Sequence, residues 1–220
     1  MPSSKLKKTP NKTTRSPADK KLRRFRGVVM PYAGHKSIRA VRRAGHEPSI
    51  HGTKLWKSSC LIIDYLKKHP PKRRKRVLDA GCVWGITGIW CAKEWSSKVV
   101  SMDADPAVFP YLDAVAELNG VSTESWVQRF EKVRKKDLEK VDILFGGDIC
   151  FWDELVDPVA KMIDRAIDAG VGMIVIGDPE RPTFHEMADK VTEKHGGDVL
   201  GWRLSGSVKA TGALMVIHND

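Results

Sequence analysis

No stretch of this 220-residue chain approaches the roughly 20 consecutive apolar residues that a membrane span needs. The first residues carry charge but no apolar run of the secretory kind. Cysteine is scarce. The four present, Cys60, Cys82, Cys91 and Cys150, form no C-x-x-C and no Cys/His spacing of a zinc site, which argues against a disulfide scaffold and a structural zinc. His185-Glu186 opens like a zinc-protease motif, but Asp189 stands where the second histidine is required, so no metal is expected. The Asn11-Lys12-Thr13 sequon is inert without secretion. No internal repeat is visible. The expectation is a soluble cytoplasmic protein, with no membrane partner and with reduced, mostly buried thiols.

What is present is an ordinary domain's worth of core, 41% hydrophobic, and an uneven charge. Residues 1–26 hold ten lysines and arginines against Asp19 alone, a surplus of nine, which leaves +2 of the chain's +11 for residues 27–220. A basic tail on a nearly neutral body makes nucleic acid one candidate partner, though a solvated extension has the same composition. Residues 1–25 are rich in Lys, Ser, Thr and Pro and are expected to be a disordered basic tail. Residues 26–52 are expected to be an irregular entry segment with one short helix around 37–44. Residues 53–220 are expected to form the folded domain.

Apolar periodicity predicts a helix over 54–68, with Leu55, Ser59, Ile62 and Leu66 on one stripe and Pro70-Pro71 as its stop. The exposed-looking run Lys72-Arg73-Arg74-Lys75-Arg76 reads as a solvated loop feeding the first strand. Strands and helices then alternate: strands at 76–79, 98–102, 125–129, 142–145 and 172–176, and helices at 84–95, 106–119, 154–169 and 182–194. Two strands, 199–204 and 213–218, close the chain without room for a helix between them, so they are antiparallel. The fold class is α/β: a doubly wound, mostly parallel seven-stranded sheet with an antiparallel C-terminal hairpin.

In such sheets ligands bind at the carboxyl ends of the strands. After the first strand stand Asp79, Gly81 and Gly85, a strand–glycine turn–helix unit of the kind that holds a nucleotide-type cofactor. A dinucleotide G-x-G-x-x-G fails at Val83 and Ile86. After the second strand stands Asp103, 22 residues past Gly81, placed to accept hydrogen bonds from ribose hydroxyls. Asp105 and Pro106 suit the cap and first turn of the next helix. After the fourth strand come Asp148, Phe151 and Trp152. Here Asp148 either meets a ligand or caps the following helix. After the fifth comes Gly177-Asp178-Pro179-Glu180-Arg181-Pro182, which either shapes a pocket or is a turn with proline at a helix start.

These residues resemble a known family. An acid followed by G-x-G-x-G is the pattern of class I (seven-strand) methyltransferases that use S-adenosylmethionine (SAM), and Asp79, Gly81 and Gly85 fit it while Val83 departs. Asp148-Ile149-Cys150-Phe151 resembles the (D/E)-x-x-(Y/F) motif of seven-strand protein lysine methyltransferases, with Phe in place of the usual Tyr. The G-D-P-x-R loop and His51-Gly52-Thr53-Lys54-Leu55-Trp56 resemble the electron-transfer-flavoprotein lysine methyltransferases and their bacterial relatives. The resemblance spans about residues 50–220. It implies SAM as cofactor, bound by Trp56, Asp79, Gly81, Gly85, Asp103 and Asp148, and an acceptor site of Asp148, Phe151 and Trp152. It implies methyl transfer to a nitrogen nucleophile, a protein lysine in first place. RNA or a small-molecule amine is the alternative acceptor. The N-P-P-Y type motif of base-amino methyltransferases is absent, since Gly146-Gly147-Asp148-Ile149 stands there. A non-catalytic scaffold is the third reading, and intact Asp79, Gly85, Asp103 and Asp148 argue against it.

Overall fold

The computed structural model describes residues 21–49, 52 and 54–219. Strands β1 (Leu22–Phe25) and β2 (Val28–Pro31) make an antiparallel hairpin, followed by α1 (Lys36–Arg43) and α2 (Ser58–Lys68). The main sheet is then laid down by β3 (Arg76–Ala80), α3 (Ile86–Trp95), β4 (Lys98–Asp103), α4 (Phe109–Asn119) and β5 (Glu124–Val127). A short α5 (Lys135–Leu138), β6 (Ile143–Gly147), α6 (Asp153–Asp168), β7 (Met173–Asp178) and α7 (Pro182–His195) follow, and β8 (Asp198–Leu204) and β9 (Ala210–His218) end it.

The seven strands run β5-β4-β3-β6-β7-β9-β8. Only β9 runs opposite to the other six strands, so the closing pair is a hairpin as expected, with β9 inserted between β7 and β8. Winding starts at β3, proceeds outward through β4 and β5, then returns to β6 on the other flank. That reversal at β3 and β6 is where a doubly wound sheet opens a crevice. Successive residues of a strand face opposite sides, and the two cores follow. Val77, Ile143, Phe145 and Val175 pack with α2, α3 and α4, whereas Leu78, Leu144, Ile174 and Ile176 pack with α6 and α7. Both faces are therefore covered, which explains the near-continuous apolar runs of β6 and β7.

Three expectations change. Most of the tail expected over 1–25 lies outside the described residues, but its last residues, Leu22–Phe25, form β1 rather than a disordered stretch. The hairpin is held by distant groups. Asn119 accepts from the Val29 N–H at 2.8 Å and donates to the Val29 carbonyl at 2.9 Å, and Trp90 Nε1 donates to the Arg26 carbonyl at 3.1 Å. The Arg26 guanidinium pairs with the buried carboxylate of Asp64. The entry segment is thus less irregular than expected, though its short helix is present as α1, with His35 as N-cap. Helix α2 starts at Ser58 rather than residue 54, and α3 at Ile86 rather than 84. Leu55 and Trp56 are half-buried through tertiary contact instead of on a helix face. Residues 82–84 belong to the glycine turn, and Trp84 is buried there with its Nε1 donating to the Gly52 carbonyl at 2.9 Å. The basic run 72–76 is exposed.

Candidate active site

The turn from β3 into α3 explains its own sequence. Gly81, Val83 and Gly85 have φ of 66°, 50° and 63°. Every second residue thus stands in the left-handed region, which glycine enters freely. Valine does not, and Val83 stores roughly 1–2 kcal/mol of strain there. Space adds a second demand. A Cβ on Gly81 would stand 2.6 Å from Ile149 Cγ2, and one on Gly85 only 1.9 Å from Leu112 Cδ1.

Two carboxylates brace this turn. Asp79 Oδ2 accepts from the Gly88 N–H at 3.0 Å, pinning the first turn of α3 to β3. Burial pushes the Asp79 carboxyl up to about 8; the Gly88 N–H opposes the shift and the neighbouring charge of Asp103 adds to it. Holding the helix start is a task the sequence reading did not give Asp79. Asp103 accepts from the Val83 N–H at 3.1 Å and, through its other oxygen, from the Asp105 N–H at 3.0 Å. Each carboxylate oxygen can accept two bonds, so capacity remains for a ligand's hydroxyls. Burial raises the Asp103 carboxyl above its ordinary range. Asp105 caps the following turn as expected, its Oδ1 accepting from the Ala107 N–H at 2.9 Å.

Gly81, Val83 and Asp103 line one side of a cleft of about 160 Å³. Phe130 closes it near Gly81, and Trp56, Asp148, Phe151 and Trp152 form the far side. Trp56 and Asp148 also border a larger cavity of about 720 Å³, together with Lys54, Pro179 and Arg181. The cleft alone is smaller than the roughly 300–1,000 Å³ of a typical ligand site, and the two together fall within that range.

Asp148 follows β6 with φ of 60°. It does not cap α6, whose N-cap position is Trp152. Instead Asp148 Oδ1 accepts from Arg181 Nη1 at 2.8 Å, and the same nitrogen reaches Asp178 Oδ2 at 2.6 Å. The second oxygen, Asp148 Oδ2, is buried and has no hydrogen-bond partner among the described residues. Burial raises the Asp178 carboxyl, and Arg181 opposes that shift. The Arg181 guanidinium lies 4.4 Å from the Phe151 ring centroid and 5.7 Å from that of Trp56. Trp56 and Phe151 meet edge to face at 5.7 Å, and Phe151 and Trp152 at 4.8 Å. Trp152 is 52% exposed and stands at the rim, whereas Phe151 is half-buried.

Gly81, Asp103, Asp148, Phe151 and Trp152 thus meet Trp56 around one cleft, whereas Asp79 and Gly85 border a neighbouring crevice that shares Trp56 and Gly81, and His51 and Thr53 lie outside the described residues. Two more belong with them. Arg181 lay in a loop already singled out, but its partner Asp148 is 33 residues away and no local pattern announces the pair. Phe130 is the second, beside Gly81 at the edge of the cleft.

A family profile described as lysine methyltransferase matches residues 40–189, about two thirds of the chain. The chain belongs to the lysine methyltransferase family. The matched stretch contains the glycine turn, Trp56, Asp103, Asp148 and Arg181, while the β1–β2 hairpin and the closing strands lie outside it. Among curated relatives, the human electron transfer flavoprotein beta subunit lysine methyltransferase is 25% identical over 130 residues, covering 59% of this chain and 49% of its own. The rat protein of the same name is 28% identical over 134 residues, covering 59% of this chain and 50% of its own. This family member thus spans about half the length of those relatives. Solved structures share the fold. A Pyrococcus abyssi tRNA (uracil-54, C5)-methyltransferase in complex with S-adenosyl-L-homocysteine aligns with TM-score 0.60 at 15% identity, covering 89% of this chain and 43% of that one. The ribosomal protein L11 methylase of Lactobacillus delbrueckii subsp. bulgaricus aligns with TM-score 0.55 at 14% identity, covering 76% and 81%. Among the described residues no helix is long and apolar enough to cross a membrane, and no group of three or more His, Cys, Asp or Glu side chains could hold a metal.

Proposed function

We propose that this chain is a SAM-dependent methyltransferase acting on a lysine side chain of a protein. One observation carries the reading: a buried carboxylate oxygen of Asp148, without a hydrogen-bond partner among the described residues, and the Phe151 ring border the same cleft as the glycine turn and Asp103. The cradle fits the cofactor. The turn leaves no Cβ at Gly81 and Gly85, Asp103 has acceptor capacity for ribose hydroxyls, and Trp56 borders the same cleft. Phe130 is added as a wall for the adenine.

When bound, SAM supplies a methyl group made electrophilic by its sulfonium. The chain's task is to position a neutral amine against it, which can contribute up to roughly 7–11 kcal/mol in ideal geometry. A free lysine has a pKa near 10.4, so its ammonium must give up a proton. Asp148 Oδ2 would accept an N–H of the incoming group and orient it. Its negative charge also favours the ammonium, but Arg181 offsets part of that charge through Oδ1. Burial against Phe151 favours the neutral amine. The aromatic face and the carboxylate suit a cationic amine arriving through the larger cavity. A cytoplasmic setting belongs to the same proposal, and four free buried thiols suit a reducing compartment.

The test is methyl-labelled SAM incubated with cell extract and the purified chain, followed by protease, ribonuclease and total acid hydrolysis. Label in methylated lysine supports the proposal. Label removed by ribonuclease and not by protease would make RNA the acceptor and overturn it.

A further inference from the structure

Two of the chain's own cations rest on the aromatic wall of the site. Arg181 lies on Phe151 and is clamped by Asp148 and Asp178. Lys54 lies on Trp56, its Nζ 4.0 Å from the ring centroid. Among the described residues Lys54 makes no ion pair and no hydrogen bond, so the ring face alone holds its ammonium. It is exposed, and its four-carbon stem leaves it free to move. Lys54 also borders two spaces at once: the cavity containing Asp148 and Arg181, and a narrow crevice against Asp79, Gly81 and Gly85. It stands between the acceptor's route and the donor's cradle. A guanidinium cannot be deprotonated, but a lysine ammonium can.

We propose that Lys54 is a self-methylation site, taking a methyl group from SAM within its own chain. The inference rests on the reading of the cleft as a methyl-transfer site. Lys54 Nζ gives a proton to solvent, and the amine swings from Trp56 toward Asp148 Oδ2. Its lone pair attacks the methyl carbon of the sulfonium. The N–C bond forms as the S–C bond breaks, the bonding pair goes to sulfur, and S-adenosylhomocysteine leaves. The methylated amine keeps a positive charge, as an aromatic partner requires.

The full chain is incubated with SAM and its peptides are weighed. Methyl increments on Lys54 are expected. The modified fraction at a given time should not change on dilution, because the transfer is intramolecular. The increment should be lost in Lys54→Arg and slowed in Asp148→Asn. In the SAM-free chain, acylation of Lys54 by an amine reagent should be slowed by S-adenosylhomocysteine while that of neighbouring Lys57 is not. Methyl on Lys57 in place of Lys54, or a rate that falls with dilution, overturns the proposal. So does an unmodified Lys54 in a chain that binds S-adenosylhomocysteine by titration and methylates extract protein. If the chain binds no S-adenosylhomocysteine at all, the methyl-transfer reading falls as well.

Discussion

Replacing Arg181 with methionine strands two carboxylates. The side chains of Asp148 and Asp178 are 5% and 1% exposed, and Arg181 itself is 21% exposed. Removing one partner of a buried ion pair costs about 3–5 kcal/mol, because the remaining charge is left without compensation. The partial exposure of Arg181 places the expected loss near the lower end, about 3 kcal/mol, or roughly 6–12 °C in Tm for a chain of this size. Most of that cost comes from the stranded charges rather than from lost contacts. Asp148→Asn with Asp178→Asn in the Arg181→Met background should therefore recover most of it, since neutral replacements of a buried pair are often tolerated. Urea melts of the wild type, the single variant, the double asparagine variant and the triple variant close the cycle. Burial already raises the Asp178 carboxyl, so the deficit of Arg181→Met should also shrink as pH falls and that group takes up a proton. A deficit below about 1 kcal/mol, within the range of an exposed pair, would refute the reasoning. An equal deficit with and without the two carboxylates would do the same.

Asp79 gives a pH signature. Its folded pKa of about 8 lies above the ordinary carboxylate value of roughly 3.9, so its contribution is complete below that lower value and is lost as pH rises through about 8. Denaturant melts of the ligand-free chain should show stability falling over that window, by an amount on the order of several kcal/mol, and Asp79→Asn should flatten the slope. Gly85→Ala places a Cβ 1.9 Å from Leu112 Cδ1 at a φ of 63°. Overpacking and left-handed strain together predict a loss of about 2–5 kcal/mol by urea melt. Asp103→Ala should weaken S-adenosylhomocysteine binding in a calorimetric titration, and unchanged affinity would remove its ribose role. Asp148→Asn should lower kcat more than cofactor affinity, measured by steady-state kinetics beside the same titration.

The layout of the sheet was legible because its rules are local. Apolar runs bounded by turn residues marked the strands, and Asp105-Pro106 marked the start of a helix within a few residues of sequence. The glycine turn was legible for a related reason: its spacing records an alternation of left-handed residues, in which Val83 takes the conformation without being glycine. What stayed hidden depends on long-range partners. Strand β1 carries Arg23 and Arg24 and looks like tail; its hairpin is secured by Asn119, 90 residues away from Val29. Leu55 and Trp56 continue the apolar period of α2 without belonging to it, because burial by tertiary contact leaves the same trace as a helix face. The acceptor side shows the same limit. Asp148, Phe151 and Trp152 were singled out together, but the wider exposure of Trp152 and the Arg181 bridge between Asp148 and Asp178 follow from the docking of two strand-end loops.

A crystal structure grown with S-adenosylhomocysteine tests the central claim most directly. It should show the ribose hydroxyls within hydrogen-bond distance of Asp103, the homocysteine end beside Trp56, and the sulfur facing Asp148 and Phe151. A nucleoside bound away from the Gly81–Gly85 turn, or a ribose that leaves Asp103 untouched, would contradict the account.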